Sequence, residues 1–184
     1  MFARFFRGDR KPEGSASDLY GAIVTQARSP VFYAHLGVPD TVTGRFEMVV
    51  LHSVLVIDRL KRAGVAGKAR GQEVFDAFCR DMDQSLRELG FGDQAVPKRM
   101  KRLGEGFYGR AEAYARSFGD RAGIVAAIGR NVFADAPGPS AADALAAYAM
   151  DATEKLTSID DGDLLAGRVT FPDPSAYAPA GAEA

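Results

Sequence analysis

Apolar side chains recur along this chain at steps of three and four residues, with no sustained alternation of the kind a strand requires. One stripe, Val74, Phe75, Phe78, Met82, Leu86 and Leu89, predicts the inward face of a helix that begins near Lys68, after a loop around Gly64 to Gly67. Gly90 stands where a left-handed C-terminal cap belongs, and Gly92 with Asp93 makes the turn that follows. Pro97 then falls in the first turn of a new helix, where a missing N–H is harmless. Val96, Met100, Leu103, Phe107, Ala111, Tyr114 and Phe118 form the stripe of that helix. Its Gly104, Gly106, Gly109 and Ala113 are expected to let another helix approach closely.

The flanking segments follow the same period. Ser17 is the expected cap of a first helix through Leu19, Ile23 and Ala27, and Ser29–Pro30 opens a brief helical segment carrying Val31, Phe32, Tyr33 and Leu36. Thr43 is the expected cap of a longer helix through Phe46, Val50, Leu51, Val54, Leu55 and Ile57, apolar on nearly every side and therefore central. A helix from Arg121 to Phe133, a loop holding Pro137, Gly138 and Pro139, and an alanine-rich helix from Ser140 to about Thr157 complete the pattern. The fold class is all-α, a single irregular bundle of about six or seven helices. The bundle is expected to span residues 17–171, between a flexible basic and aromatic segment, residues 1–16, and a flexible Pro- and Ala-rich tail, residues 172–184.

Composition narrows the function. With 23 Lys plus Arg against 24 Asp plus Glu among 184 residues, the chain has no global attraction for nucleic acid or an anionic membrane, so any such contact needs a local patch. A lone Cys79 excludes an internal disulfide and reads as a small buried hydrophobe. The longest apolar run, Met48 to Ile57, is too short to cross a bilayer. Met1 to Arg7 lacks the apolar core of a secretory signal, and the expectation is a cytoplasmic protein.

Sites for chemistry are scarce. Gly67–Lys68 is no phosphate loop, because Arg62 stands at its first required glycine and Ala69 at its Ser or Thr. His52 has no i, i+4 partner and reads as a hydrogen-bonded core histidine. Asp81 and Asp83 point in different directions on a helix, and Asp160, Asp161 and Asp163 lack the calcium-loop pattern. No nucleophile, base and oxyanion donor come together, so the expectation is a protein without catalysis, metal or cofactor. The exception to this plainness is basic. Lys98, Arg99, Lys101 and Arg102 concentrate positive charge at the start of a helix, where the dipole disfavours it, and Tyr108 and Arg110 follow one turn later. A solvated face and a binding patch fit that cluster equally.

These residues, taken in order, resemble the ubiquinol-cytochrome c chaperones, assembly factors of the cytochrome bc1 complex. The likeness is carried by Asp81-Met82-Asp83, Leu86-Arg87-Glu88-Leu89-Gly90, Gly92-Asp93, Val96-Pro97-Lys98-Arg99-Met100-Lys101 and Phe107-Tyr108-Gly109-Arg110. Upstream, Gln26-Ala27-Arg28, Gly44-Arg45-Phe46 and Leu51-His52 fall in the same order. The resemblance implies a non-enzymatic assembly factor that binds newly made cytochrome b or an early bc1 intermediate, with a small partner protein, near the ribosome and the inner membrane. The expected member is bacterial, with peripheral contact at the cytoplasmic face and no specific nucleic-acid sequence. The expected partner-facing residues are Lys98, Arg99, Lys101, Arg102 and Arg110, with Phe107 and Tyr108 beside a groove. The alternative is a peripheral membrane- or RNA-binding module built on the same cluster, distinguished by strong salt dependence without cytochrome b binding.

Overall fold

In the computed structural model, residues 14–133 and 139–179 are described, and among them every regular element is helical. The order is α1 Ser15–Ala27, α2 Pro30–Ala34, α3 Val42–Arg62, α4 Gly64–Glu88, α5 Val96–Ser117, α6 Arg121–Asn131, α7 Pro139–Ser158 and α8 Asp161–Leu165, with a final 3-10 turn at Pro174–Tyr177. The all-α bundle expected from the periodicity is the one observed. Helix α3 is its axis, packed against α1, α4, α5, α7 and α8, and its residues Met48 to Val56 are buried without a break. A helix apolar all round is stable only when neighbours cover every face.

Helix starts depart from expectation in three places. Helix α1 begins at Ser15 behind Gly14, which leaves Ser17 inside the helix and Ala16 fully buried. The cap of α3 is Thr41, whose hydroxyl accepts from the Gly44 N–H at 3.1 Å, and Thr43 lies within the first turn. The α3 error is a choice between two threonines two positions apart, and α1 starts behind a glycine with no side-chain cap; only the backbone angles at each junction resolve them. Helix α4 begins at Gly64, four residues before the expected start, so the segment read as a loop is helix. Gly64 adopts φ 72°, and a Cβ on Gly67 would lie 2.0 Å from the Leu60 carbonyl oxygen. Helices α3 and α4 therefore meet at the single residue Ala63, and Gly67 is what lets the first turn of α4 sit against the last turn of α3.

Two further expectations are corrected. Gly104 and Gly109 on α5 face open space, and Gly106 accommodates the Arg110 guanidinium, so this helix surface is not a close-packing seam. At the other end of the chain, the tail expected to be flexible from residue 172 is docked as far as the structure describes it. Pro174 is buried, the Tyr177 hydroxyl donates to Asp151 at 2.6 Å, and its ring meets Tyr148 edge-on. Prolines and a tyrosine hold this strap with few aliphatic residues, which is why composition alone hides it. Residues 1–13 and 180–184 and the loop prolyl-glycine at 137–138 lie outside the described residues.

Candidate binding groove

The stripe of α4 is closed over only part of its length. Val74, Phe75 and Phe78 are buried, but Met82 and Leu86 are half-buried and Leu89 is 62% exposed. Beyond Phe78 the stripe borders an open groove of about 610 Å³. Its walls are the first two turns of α3, with Val42, Phe46 and Val49, the last turns of α4, and α5 at Leu103. Val42, at the start of α3, is 73% exposed and stands on the groove opposite Leu89's helix. Exposed apolar side chains grouped side by side make this groove the candidate site.

Four arginines line the same groove: Arg28 after the end of α1, Arg45 on α3, and Arg102 and Arg110 on α5. Two are committed elsewhere. Arg45 pairs with Asp40 at 2.6 Å, and Arg110 holds Glu47 with both guanidinium arms. Glu47 is only 1% exposed, and burial outweighs Arg110 to keep its carboxyl above the ordinary range, while Glu47 in turn raises Arg110. This pair ties α5 to α3 under the groove. Arg28 and Arg102 are exposed and have no hydrogen-bonded carboxylate among the described residues. One acid reaches the groove, Asp81, which accepts the Tyr20 hydroxyl at 2.7 Å.

The residues expected to face a partner are therefore divided. Lys98, Arg99, Lys101 and Arg102 are all exposed, but they do not act alike. The Arg99 guanidinium stacks 3.7 Å from the centre of the Phe91 ring, which gives the bulky residue in the turn a role as a platform. Lys101 stands 3.9 Å from Glu105, an exposed pair of little energetic weight. Arg102 borders the groove. Phe107 belongs to the core at 3% exposure, packed on Phe75 and Phe78, and Tyr108 is half exposed with its ring 5.4 Å from that of Phe75. Arg28, Glu47, Val42 and Arg45 are functional candidates that the sequence reading did not single out. For Arg28 and Arg45 a signal was present in the ordered motifs Gln26-Ala27-Arg28 and Gly44-Arg45-Phe46, whose Arg28, Arg45 and Phe46 line one groove; Val42 and Glu47 lie outside both motifs.

His52 lies away from this site. Its ring is fully buried against Phe32, Phe171 and Tyr148, with Nδ1 2.8 Å from the Met48 carbonyl and Nε2 2.7 Å from the Tyr148 hydroxyl. A carbonyl can only accept, so Nδ1 carries the proton and Nε2 accepts from Tyr148. Burial pushes its pKa down to about 4, and the ring is neutral. Gln26 donates to the same hydroxyl at 3.0 Å and to the Pro172 carbonyl at 3.1 Å, closing a network that pins the C-terminal strap. The core-histidine reading holds. Cys79 is half-buried, with its thiol pushed up to about 12, chiefly by burial. Among the described residues no cluster of His, Cys, Asp and Glu could hold a metal ion, and no helix is long and apolar enough to cross a membrane.

Comparison with known proteins adds three findings. The sequence profile of the family described as ubiquinol-cytochrome C chaperone matches residues 34–171. The ubiquinol-cytochrome-c reductase complex assembly factor 1 of Xenopus laevis is 24% identical over 153 residues, 82% of this chain and 76% of that protein. The crystal structure of the Cbp3 homolog from Brucella abortus is similar with a TM-score of 0.82 at 42% identity, over 89% of this chain and 92% of that one.

Proposed function

The chain belongs to the ubiquinol-cytochrome C chaperone family, and from that premise we propose that it holds newly made cytochrome b, or an early bc1 intermediate, in the groove between α3, α4 and α5. Assembly of the ubiquinol-cytochrome c reductase complex is the role its family and relatives carry. The observation that supports this mode of action is the open continuation of the α4 stripe. Met82, Leu86 and Leu89 offer anchors one helical turn apart, which is how a groove receives an apolar helix reversibly. The exposed charges Lys98, Arg99 and Lys101, with Arg102 at the groove's edge, set orientation and attract the partner, and Tyr108 lies against Phe75 beside them. Phe107 acts by supporting Phe75 from the core, and Arg110 by holding Glu47. No chemistry at the groove requires catalysis; the work is binding, at the cytoplasmic face of the inner membrane.

The test is recovery of cytochrome b with the tagged full-length chain from a respiring host. Leu86→Asp and, separately, charge reversal at Lys98, Arg99, Lys101 and Arg102 are expected to lose the client and lower assembled cytochrome b while helicity is retained. Normal cytochrome b recovery with either folded variant would remove that surface from the proposal. Salt-dependent binding to anionic vesicles or RNA without cytochrome b would assign the basic surface to the alternative role.

A further inference from the structure

Resting on the groove reading above, we infer that the segment it takes is an apolar helix carrying carboxylates, and that Arg28 and Arg102 recognise those carboxylates. The apolar part follows from spacing. Met82, Leu86 and Leu89 lie within two turns of α4, so they present about 10 Å of contact at 1.5 Å per residue. That length accepts side chains at i, i+3 or i+4 and i+7 of one helix, with Phe46, Val49 and Leu103 around them.

The acidic part follows from an imbalance of charge. Four arginines and one aspartate line the groove, and the aspartate is occupied by Tyr20. Arg45 and Arg110 have Asp40 and Glu47 as partners, which leaves Arg28 and Arg102 as the two groove cations without a bonded acid among the described residues. One comes from the end of α1 and the other from α5. An arginine fork beside an apolar floor gains a bidentate contact from a carboxylate and repels an ammonium, so it selects the sign of the incoming segment and its direction. The chain's own N-terminal segment is a poor occupant on this ground. Residues 1–13 contain Arg4, Arg7, Arg10 and Lys11 against Asp9 and Glu13, a basic excess that meets like charge at Arg28 and Arg102.

Stapled helical peptides of about 14 residues, labelled for fluorescence polarisation, provide the probe for the full-length protein. One carries three apolar anchors flanked by Glu, a second replaces each Glu by Lys, and a third replaces the anchors by Ser. The Glu peptide is expected to bind at least about tenfold more tightly than the Lys peptide, a difference of about 1.4 kcal/mol, and the Ser peptide to fail. Both arginines are exposed, so the double variant Arg28→Glu with Arg102→Glu should remain folded and should invert the preference. Equal affinity for the Glu and Lys peptides, or an unchanged preference in the double variant, overturns the inference. A gain in affinity on deleting residues 1–13 also overturns it, by making that segment the resident of the groove. The outcome for client binding is separable. If Leu86→Asp still loses cytochrome b while peptide charge has no effect, the groove reading stands and only the acidic specificity falls.

Discussion

Helix α4 carries one apolar stripe with two outcomes. Over Val74, Phe75 and Phe78 it is sealed by α3 and α5, and Phe78 meets the rings of Phe46, Phe75 and Phe107. One turn later the same spacing and the same kinds of side chain, Met82, Leu86 and Leu89, face an open groove. The difference is not in α4. It comes from its neighbours, since α3 starts at Val42 and α5 is held to α3 by Arg110 and Glu47 farther along, so among the described residues no third element covers the last turns of α4. Apolar surface buried in one half contributes to folding. In the other half it stays open, and under the proposed function stability and client binding are divided along one helix.

The strongest way to break this comparison is truncation of each half. Phe78→Ala is expected to destabilise by about 3–5 kcal/mol, through lost burial and the cavity left behind. Leu89→Ala should cost no more than about 0.5 kcal/mol, because the side chain is already in water. Urea midpoints measure both, and a comparable loss for Leu89→Ala would mean that the end of α4 is closed in solution. Two glycines near the ends of the helix rank next. Gly67→Ala puts a methyl against the Leu60 carbonyl and should cost about 1–3 kcal/mol. Gly90→Ala meets open space and costs only its left-handed backbone, φ 86°, about 1 kcal/mol.

The sealed side also sets the acid response. His52 has a folded pKa of about 4 against an ordinary value of 6.5, so the neutral ring contributes stability above the unfolded value. That contribution, up to roughly 3 kcal/mol, is lost as pH falls from 6.5 through 4. Glu47 works in the opposite sense. Its folded pKa is raised, so its ionisation costs stability as pH rises through that value, and stability returns on acidification toward the ordinary carboxylate range. Urea denaturation across this range should show a shallower acid loss in His52→Gln, and a steeper one in Glu47→Gln, than in the parent. Identical slopes in all three proteins would exclude both groups as the source. The smallest effect separates the two candidate caps of α3. Thr41→Ala should cost about 1 kcal/mol, and Thr43→Ala only a few tenths.

Much of the architecture was legible before any coordinates. Periodicity identified the helices, Gly90 and Pro97 bounded the central turn, and the apolar run from Met48 to Ile57 marked α3 as the axis. The candidate site was legible only in part. Lys98, Arg99, Lys101 and Arg102 are exposed as their polarity implied, but spacing along α5 cannot say that Phe107 belongs to the core or that Arg110 is bound to Glu47, which lies 63 positions away. The C-terminal strap escaped notice for the same reason, because its partners Gln26, Tyr148 and Asp151 come from elsewhere in the chain.

Which residues form helices, and which face of each is apolar, is a local property: side chains three and four apart share a face whatever surrounds them. The sequence by itself determined that much, along with the helical fold class and the cluster of charge at the start of α5. Whether an apolar face is covered is not local. Only the tertiary structure decided that Phe78 is core and Leu89 is surface, because covering a face requires another helix to reach it, and the reach of α3 and α5 depends on contacts made elsewhere in the bundle.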